Sequence, residues 1–407
     1  MKEKISRSFL LWLCVTVCVF IAAACNSGVF PAEDYVGDGV LLYSETDGGN
    51  AYQVVGLASE TEREVVIPAE TEGKPVVRIG ERAFYEAEIN GVVIPDSVTE
   101  IGKEAFAYCY GLKNVVLPRC LTLLEDRAFY LCSNLCDVVL PDGISEIKSE
   151  TFGVCHSLMR AVLPEGLKKI GDRAFSNCAA LEEIKLPESL TSIANEAFAS
   201  SGLKTIDFPD GMTDMGEYAF AQCMSLTEAV VPQGIKKLSR SVFHGCESLA
   251  SVTVENGVTD IDEEAFSGCL SLKKLVLPDS ITYIGNWAFS RCESLEEIKL
   301  PANLTYVSDN LFLGCRLLKS VVIPEGVTGI GEMAFSYCDA LESVYIPESA
   351  VYFGEMVFAH SRALKSLVFA DPRGWSTAGE NIPEHILSDP EQAALYAEES
   401  VYEWIKQ

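Results

Sequence analysis

Cysteine dominates the residue types that carry chemistry here: the 407 residues include 15 cysteines and 4 histidines. Such a set suits disulfide cross-linking, metal ligation or thiolate attack. The spacing argues against all three. Ten cysteines recur in one register slot, at Cys109, Cys132, Cys155, Cys178, Cys223, Cys246, Cys269, Cys292, Cys315 and Cys338, and serine takes that slot at Ser201 and Ser361. A slot that accepts serine with no change of partner is a small-residue core slot, where free cysteine behaves as a small hydrophobe. Stacked side chains also point the same way, which is poor disulfide geometry. No Cys-x-x-Cys pair or histidine ladder exists for a metal. His156, His244 and His360 fall at different offsets from their unit's phenylalanine, and His385 lies beyond the repeats. His156 beside Cys155 reads as a nucleophile and base on paper, yet adjacent residues diverge in direction and Cys155 belongs to the core slot. Phosphate-loop, nucleophile-elbow and zincin motifs are absent from the sequence. The reading is a protein that is not an enzyme, with no catalytic residue, metal site or cofactor. Cys120 and Cys136 lie outside the slot and their pairing stays open. Cys14 and Cys18 leave with an export signal described below.

The remaining candidates are aromatic, and their chemistry is recognition. Tyr283, Tyr306 and Tyr352 share one outward position in successive units, interrupted by Gly329, and Trp287 lies one corner away from Tyr283. Tyr345 belongs to a second outward row that is mostly valine: Val93, Val116, Val139, Val162, Lys185, Asp207, Val230, Thr253, Val276, Lys299, Val322, Tyr345 and Val368. Aromatic side chains bury area at low entropic cost and are enriched in binding surfaces. Tyr283, Trp287, Tyr306, Tyr345 and Tyr352 are therefore the candidate ligand-binding residues. The valine row has two readings, strand propensity with cross-strand packing or an apolar contact surface.

These residues are positioned by a repeat. Phenylalanine recurs at positions 84, 106, 129, 152, 175, 198, 220, 243, 266, 289, 312, 335 and 358, in steps of 23 residues with two steps of 22. Proline recurs in the same register from Pro95 to Pro347, replaced by Glu255 and Ala370 in two units. In the unit from Leu318 to Cys338, Leu318, Val321 and Ile323 mark a short strand that Pro324 stops, because proline has no N–H to donate. Glu325-Gly326 reads as a turn. Val327 and Ile330 point inward from a second extended segment, Gly331 allows a tight bend, and Ala334-Phe335 forms a short helical or 3₁₀ turn with Phe335 at the centre. One such unit cannot bury both its faces, whereas thirteen stacked units share one core. Strands about 4.8 Å apart give an array about 60 Å long.

The Leu-x-x-Val-x-Leu-Pro strand, the Ile-Gly pair and the Ala-Phe-x-x-Cys tail resemble the BspA-like (Treponema-type) leucine-rich repeats, over about residues 60 to 370. The resemblance implies a repeat solenoid: a right-handed leucine-rich-repeat-like array of about thirteen 23-residue units, with short strands and short helical or 3₁₀ turns, capped at both ends. It also implies a bacterial or protist surface protein, often an adhesin or host-protein binder. Residues 39–43 and 51–56 resemble the N-terminal hairpin that precedes such arrays. Residues from about Pro390 to Gln407 read as an amphipathic helix that caps the last coil, or else as a docking tail.

Lys2, Lys4 and Arg7 precede an apolar stretch from Phe9 to Ala24, shorter than the ~20 residues that span a bilayer. This is a signal-peptide pattern. Ile21-Ala22-Ala23-Ala24-Cys25 resembles a bacterial lipoprotein box with alanine in place of the usual leucine, which implies lipidation at Cys25. Cleavage at an Ala-x-Ala site with Cys25 merely nearby is the other reading. The expected division is 1–24 signal peptide, 25–59 tether and N-terminal cap, 60–371 solenoid and 372–407 C-terminal cap. The net charge of −28 argues against nucleic acid and against broad docking on anionic lipid. The expectation is a protein lipid-anchored at the bacterial cell surface, or secreted, that touches a membrane only through its N-terminal anchor and binds an extracellular protein or glycan. A structural envelope scaffold and a hydrolase with its chemistry in the caps are the alternatives.

Overall fold

The computed structural model describes residues 36–37, 39–59 and 63–406. The expected signal peptide and the lipidation site at Cys25 lie outside them. The repeat builds a β-solenoid of about 14 turns of roughly 23 residues. The unit from Leu318 shows how. Leu318, Val321 and Ile323 are buried, while Val322 between them is 69% exposed. Ser320–Val322 pairs in parallel with Ser343–Ile346 of the next coil. After Pro324 the chain makes a β-turn, with the Val327 amide donating to the Pro324 carbonyl at 3.0 Å. Gly329–Ile330 then forms the second strand, in parallel register with Tyr306–Val307 and Tyr352–Phe353. Val327 and Ile330 face the core as read from the sequence. Gly331 serves a different purpose from the expected bend. A Cβ there would lie 2.6 Å from the Asp309 nitrogen and 2.8 Å from the Ser308 carbonyl carbon, so glycine admits the neighbouring coil's backbone.

The third side corrects the expected helical or 3₁₀ turn. Its amides alternate between two partners. Those of Met333, Phe335 and Tyr337 donate to Glu355, Val357 and Ala359 of the next coil, each at 2.9 Å, while those of Ala334 and Ser336 donate three residues back. Three of these five donors are thus spent between coils, which a helix does not allow. The geometry needs two left-handed residues per coil, Met333 (φ 52°) and Tyr337 (φ 59°) here, and the same two positions are left-handed in all thirteen units. Left-handed non-glycine residues cost about 1–3 kcal/mol each and persist only where surrounding contacts over-determine them. The inter-coil ladder is that determinant. At the first of these positions Arg82, Glu104, Arg127, Glu150, Arg173 and Glu196 alternate in sign through six coils. Arg82 pairs with Glu104 at 2.5 Å, Arg127 with Glu150 at 3.0 Å and Arg173 with Glu196 at 2.6 Å.

The core is a column of the thirteen phenylalanines, whose rings stack at centroid spacings from 4.8 Å (Phe84 on Phe106) to 5.8 Å (Phe266 on Phe289). At the N-terminus, Leu41–Thr46 and Ala51–Leu57 form the hairpin, and its second strand pairs with Lys74–Ile79. At the C-terminus, helices α1 (Glu384–Leu387) and α2 (Pro390–Glu399) precede a strand, Trp404–Lys406, antiparallel to Tyr352–Phe353. The helix read to Gln407 therefore stops at Glu399. Trp404 is pulled out of it because its ring stacks on Phe353 at 5.4 Å, beside Trp375. Tyr402, between helix and strand, is exposed.

Candidate binding face

The second strands set the geometry of the tyrosines. Their outward residues repeat along the array on two successive ladders: Lys237, Asp260 and Tyr283 on one, and Tyr306, Gly329 and Tyr352 on the next, which the cap strand continues at Ile405. Tyr283 and Tyr306 are 45% and 37% exposed, and Tyr352 is half-buried. Gly329, which reads as a gap in the sequence, joins the row. A Cβ there would come 2.7 Å from Cε2 of Tyr306 and 3.3 Å from Cδ1 of Tyr352, so the two rings lean over the bare glycine from either side. From Tyr283 to Ile405 the row carries no charge.

Carboxylates border this strip. The residues three positions after Asp260, Tyr283, Tyr306, Gly329 and Tyr352 are Glu263, Asn286, Asp309, Glu332 and Glu355, whereas Arg240 follows Lys237. Their backbone role explains part of the pattern. Asp309 Oδ1 accepts from the Glu332 amide at 2.9 Å, and Asn286 Oδ1 from the Asp309 amide at 3.2 Å. Asn286 and Asp309 thus stitch their coils to the next, and Asp309, Glu332 and Glu355 leave an acidic edge. Burial, Asp309 and Tyr352 push the Tyr306 phenol up to about 12. Burial and then Asp262 and Glu263 raise Tyr283, and burial and then Glu403 raise Tyr352. The phenols stay neutral at physiological pH.

Two predicted residues stand apart. Tyr345 lies on the first-strand sheet, where its hydroxyl donates to Glu325 at 3.1 Å, so the fold does not bring it to the strip. Trp287 occupies a left-handed position on the turn side (φ 55°) and is 38% exposed. The valine row does face outward, and it begins one coil earlier than read, at Val66 (70% exposed). On the same sheet the ladder is interrupted at 183–186 and largely at 297–300, inside two copies of the heptapeptide Leu-Glu-Glu-Ile-Lys-Leu-Pro. A groove of about 620 Å³ opens at the first copy, lined by Met159, Arg160, Ile184, Lys185, Asp207 and Phe208 among others. It contains none of the predicted binding residues.

The ten slot cysteines are buried and free, and each thiol donates to the phenylalanine carbonyl of the preceding coil, as Cys246 does to Phe220 at 3.1 Å. Ser361 does the same to Phe335 at 2.6 Å. In these eleven units the slot holds a small donor, whereas Ser201 contacts the Cys223 thiol at 3.3 Å and Ala87 fills the slot in the first unit. Burial pushes the Cys109, Cys178, Cys269 and Cys315 thiols up to about 12, far from a nucleophile's range. Cys120 and Cys136 are also free, the former exposed. His156 Nδ1 lies 3.0 Å from the Asn177 carbonyl oxygen, which turns it away from catalytic company. Among the described residues no group of three metal-ligating side chains converges.

Two features escaped sequence reading. One is the joining role of Gly329, signalled only by its place in the tyrosine row. The other is an aromatic cluster near the N-terminal end. Tyr108 lies 5.1 Å from Tyr85 and 5.6 Å from Tyr130, with Arg82 over Tyr85 and Arg127 over Tyr130. Its signal is tyrosine one or two positions after the core phenylalanine.

Comparison with known proteins places this architecture. The family model for the BspA type leucine rich repeat region matches at residues 77–200, 145–273 and 259–374, six copies in all. A leucine rich cell surface protein from Faecalibacterium prausnitzii A2-165 is similar in structure, at 29% identity and TM-score 0.55, over 85% of this chain and 97% of that one. A leucine-rich repeat protein from Bacteroides ovatus is similar at 26% identity and TM-score 0.58, over 83% of this chain and 100% of that one. No curated protein matches the sequence.

Proposed function

Given that this chain belongs to the BspA-type leucine-rich repeat family, we propose that it is a cell-surface binding module whose tyrosine strip holds an extracellular protein or glycan. The observation that carries this reading is the convergence of Tyr306 and Tyr352 over Gly329, with Tyr283 at the same position of the unit before, where the neighbouring ladder ends. Exposed aromatic rings in a shared row on a rigid sheet offer contact area at little entropic cost. Ten of the chain's cysteines are committed to the core slot. Export and anchoring are part of the proposal. The basic residues before the apolar stretch and the small residues before Cys25 support a signal peptide over 1–24 and a lipid on Cys25. Residues 25–59 then serve as tether and N-terminal cap, 60–371 as the array and 372–407 as the C-terminal cap. Tyr345 and Trp287, outside the strip, are left as secondary contacts.

The test is binding of the exported protein to an array of extracellular-matrix proteins and glycans, beside a variant carrying Tyr283→Ala, Tyr306→Ala and Tyr352→Ala. Saturable binding lost in the folded variant supports the reading. Absence of saturable binding, with self-association in solution, moves the assignment to an envelope scaffold.

A further inference from the structure

The molecule satisfies one recognition geometry internally at its N-terminal end. Arg82 lies 5.0 Å from the Tyr85 ring centroid while it pairs with Glu104. Arg127 lies 5.4 Å from Tyr130 and pairs with Glu150. Lys74 lies 5.4 Å from Tyr52 and pairs with Glu45. In each case a cation rests on a tyrosine and ends on a carboxylate.

The C-terminal strip has two of those three parts. Its rings are Tyr283, Tyr306 and Tyr352, and its carboxylates are Asp309, Glu332, Glu355 and Glu403. Among the described residues no lysine or arginine lies over these rings. Lys237, the cation nearest Tyr283 in the row, is held by Asp262 at 2.7 Å, and Lys406 behind the strip is held by Asp371 at 3.0 Å. We infer that the missing part comes from the partner: the strip binds a lysine- and arginine-bearing segment of a basic protein.

The chemistry is specific to that class. Ring faces attract a cation within about 6 Å. The aliphatic stems of lysine and arginine cover apolar surface while their heads stay at its edge, where the carboxylates stand. An acidic partner meets repulsion here. A neutral sugar gains the rings but makes no use of the net charge at the border. The net charge of −28 adds long-range steering toward a basic partner.

This inference rests on the strip being the binding surface, and its test separates the two claims. The full-length exported protein is titrated with three peptides of equal length: one with alternating lysine and arginine among glycine and serine, one neutral and one acidic. Three paired variants are compared, with folding checked by circular dichroism: Tyr306→Ala with Tyr352→Ala, Glu332→Gln with Glu355→Gln, and Glu183→Gln with Glu188→Gln at the groove on the first-strand side. The expected result is saturable binding of the basic peptide alone. Its affinity should fall about five- to tenfold in the first two pairs and less than about twofold in the third. An equal loss in all three pairs overturns the inference, because it reports diffuse attraction to an acidic surface. Binding of the neutral peptide at the strip in preference to the basic peptide also overturns it, while leaving the strip as the binding surface. If the tyrosine pair changes nothing for any ligand, both claims fall.

Discussion

At the residue scale the cysteine slot shows how a small choice serves a repeat. Each thiol fills the space beside a phenylalanine and donates to the carbonyl of the coil before. The Cys109 thiol, pushed up to about 12 by burial, carries almost no thiolate near neutrality, and burial closes all ten slot thiols to a reagent in solution. Alkylation under native conditions is therefore predicted to modify Cys120 and Cys136 and to spare the ten slot cysteines until denaturant is added; mass spectrometry of the digest reads this directly. Ser361 tests the donor itself. Its Oγ donates to the Phe335 carbonyl and accepts from the buried Cys338 amide at 3.1 Å. Ser361→Ala leaves that amide unsatisfied, and chemical denaturation should show a loss of about 1–3 kcal/mol. Ser361→Cys keeps a small donor and should lose less. From sequence the slot was legible as small and buried. The donor role was not, because which carbonyl lies over the slot depends on how far each coil is offset from its neighbour.

At the scale of elements, legibility followed hydrophobic periodicity. Leu318, Val321, Ile323, Val327 and Ile330 announced both strands and their inward faces. The turn around Phe335, read as helical or 3₁₀, keeps bonds three residues back at Ala334 and Ser336, but Met-Ala-Phe-Ser-Tyr carries no mark of the two left-handed residues; only Gly245, Gly268 and Gly314 hint at them. The C-terminal strand was missed for a related reason: Trp404 lies in helical spacing but finds its partners on the last coil. That strand is tied to the array by Asp371, which Arg373 and then Lys406 hold well below the usual carboxylate range. A carboxyl depressed in the folded state stabilises the fold above its unfolded pKa, about 3.9, and loses that contribution as pH falls through the folded value. Amides of Trp404–Lys406 should keep their hydrogen-exchange protection at pH 5 and lose part of it at pH 3, after correction for intrinsic rates. Asp371→Asn should show the weaker protection at both. On the strip, Gly329→Val places methyl groups where the Tyr306 ring lies. Because that ring is at the surface and can swing away, the thermal midpoint should change little, while ligand affinity should fall by at least about tenfold, near 1.4 kcal/mol.

At the scale of the whole molecule, stacking turns one residue per coil into a continuous surface. The fold was legible because the phenylalanine, the proline and the cysteine repeat together, and stacking thirteen copies of so short a unit into a solenoid buries them in one core. The binding face was legible only in outline. Direction followed from alternation along each strand, which placed Tyr283, Tyr306 and Tyr352 on one side and Tyr345 on another sheet. The approach of Tyr306 and Tyr352 across Gly329 needed coordinates, since it depends on side-chain rotamers over an empty position. The two outward surfaces make opposed claims as docking sites: a bordered aromatic strip on the second-strand sheet and a valine row on the first-strand sheet. The measurement that decides between them is the affinity of one saturable ligand for three folded forms of the exported protein: the natural chain, the Tyr283→Ala/Tyr306→Ala/Tyr352→Ala variant and a Val93→Thr/Val116→Thr/Val139→Thr variant. Binding lost in the tyrosine variant and retained in the valine variant is the predicted result; binding retained in the tyrosine variant and lost in the valine variant contradicts the assignment of the site.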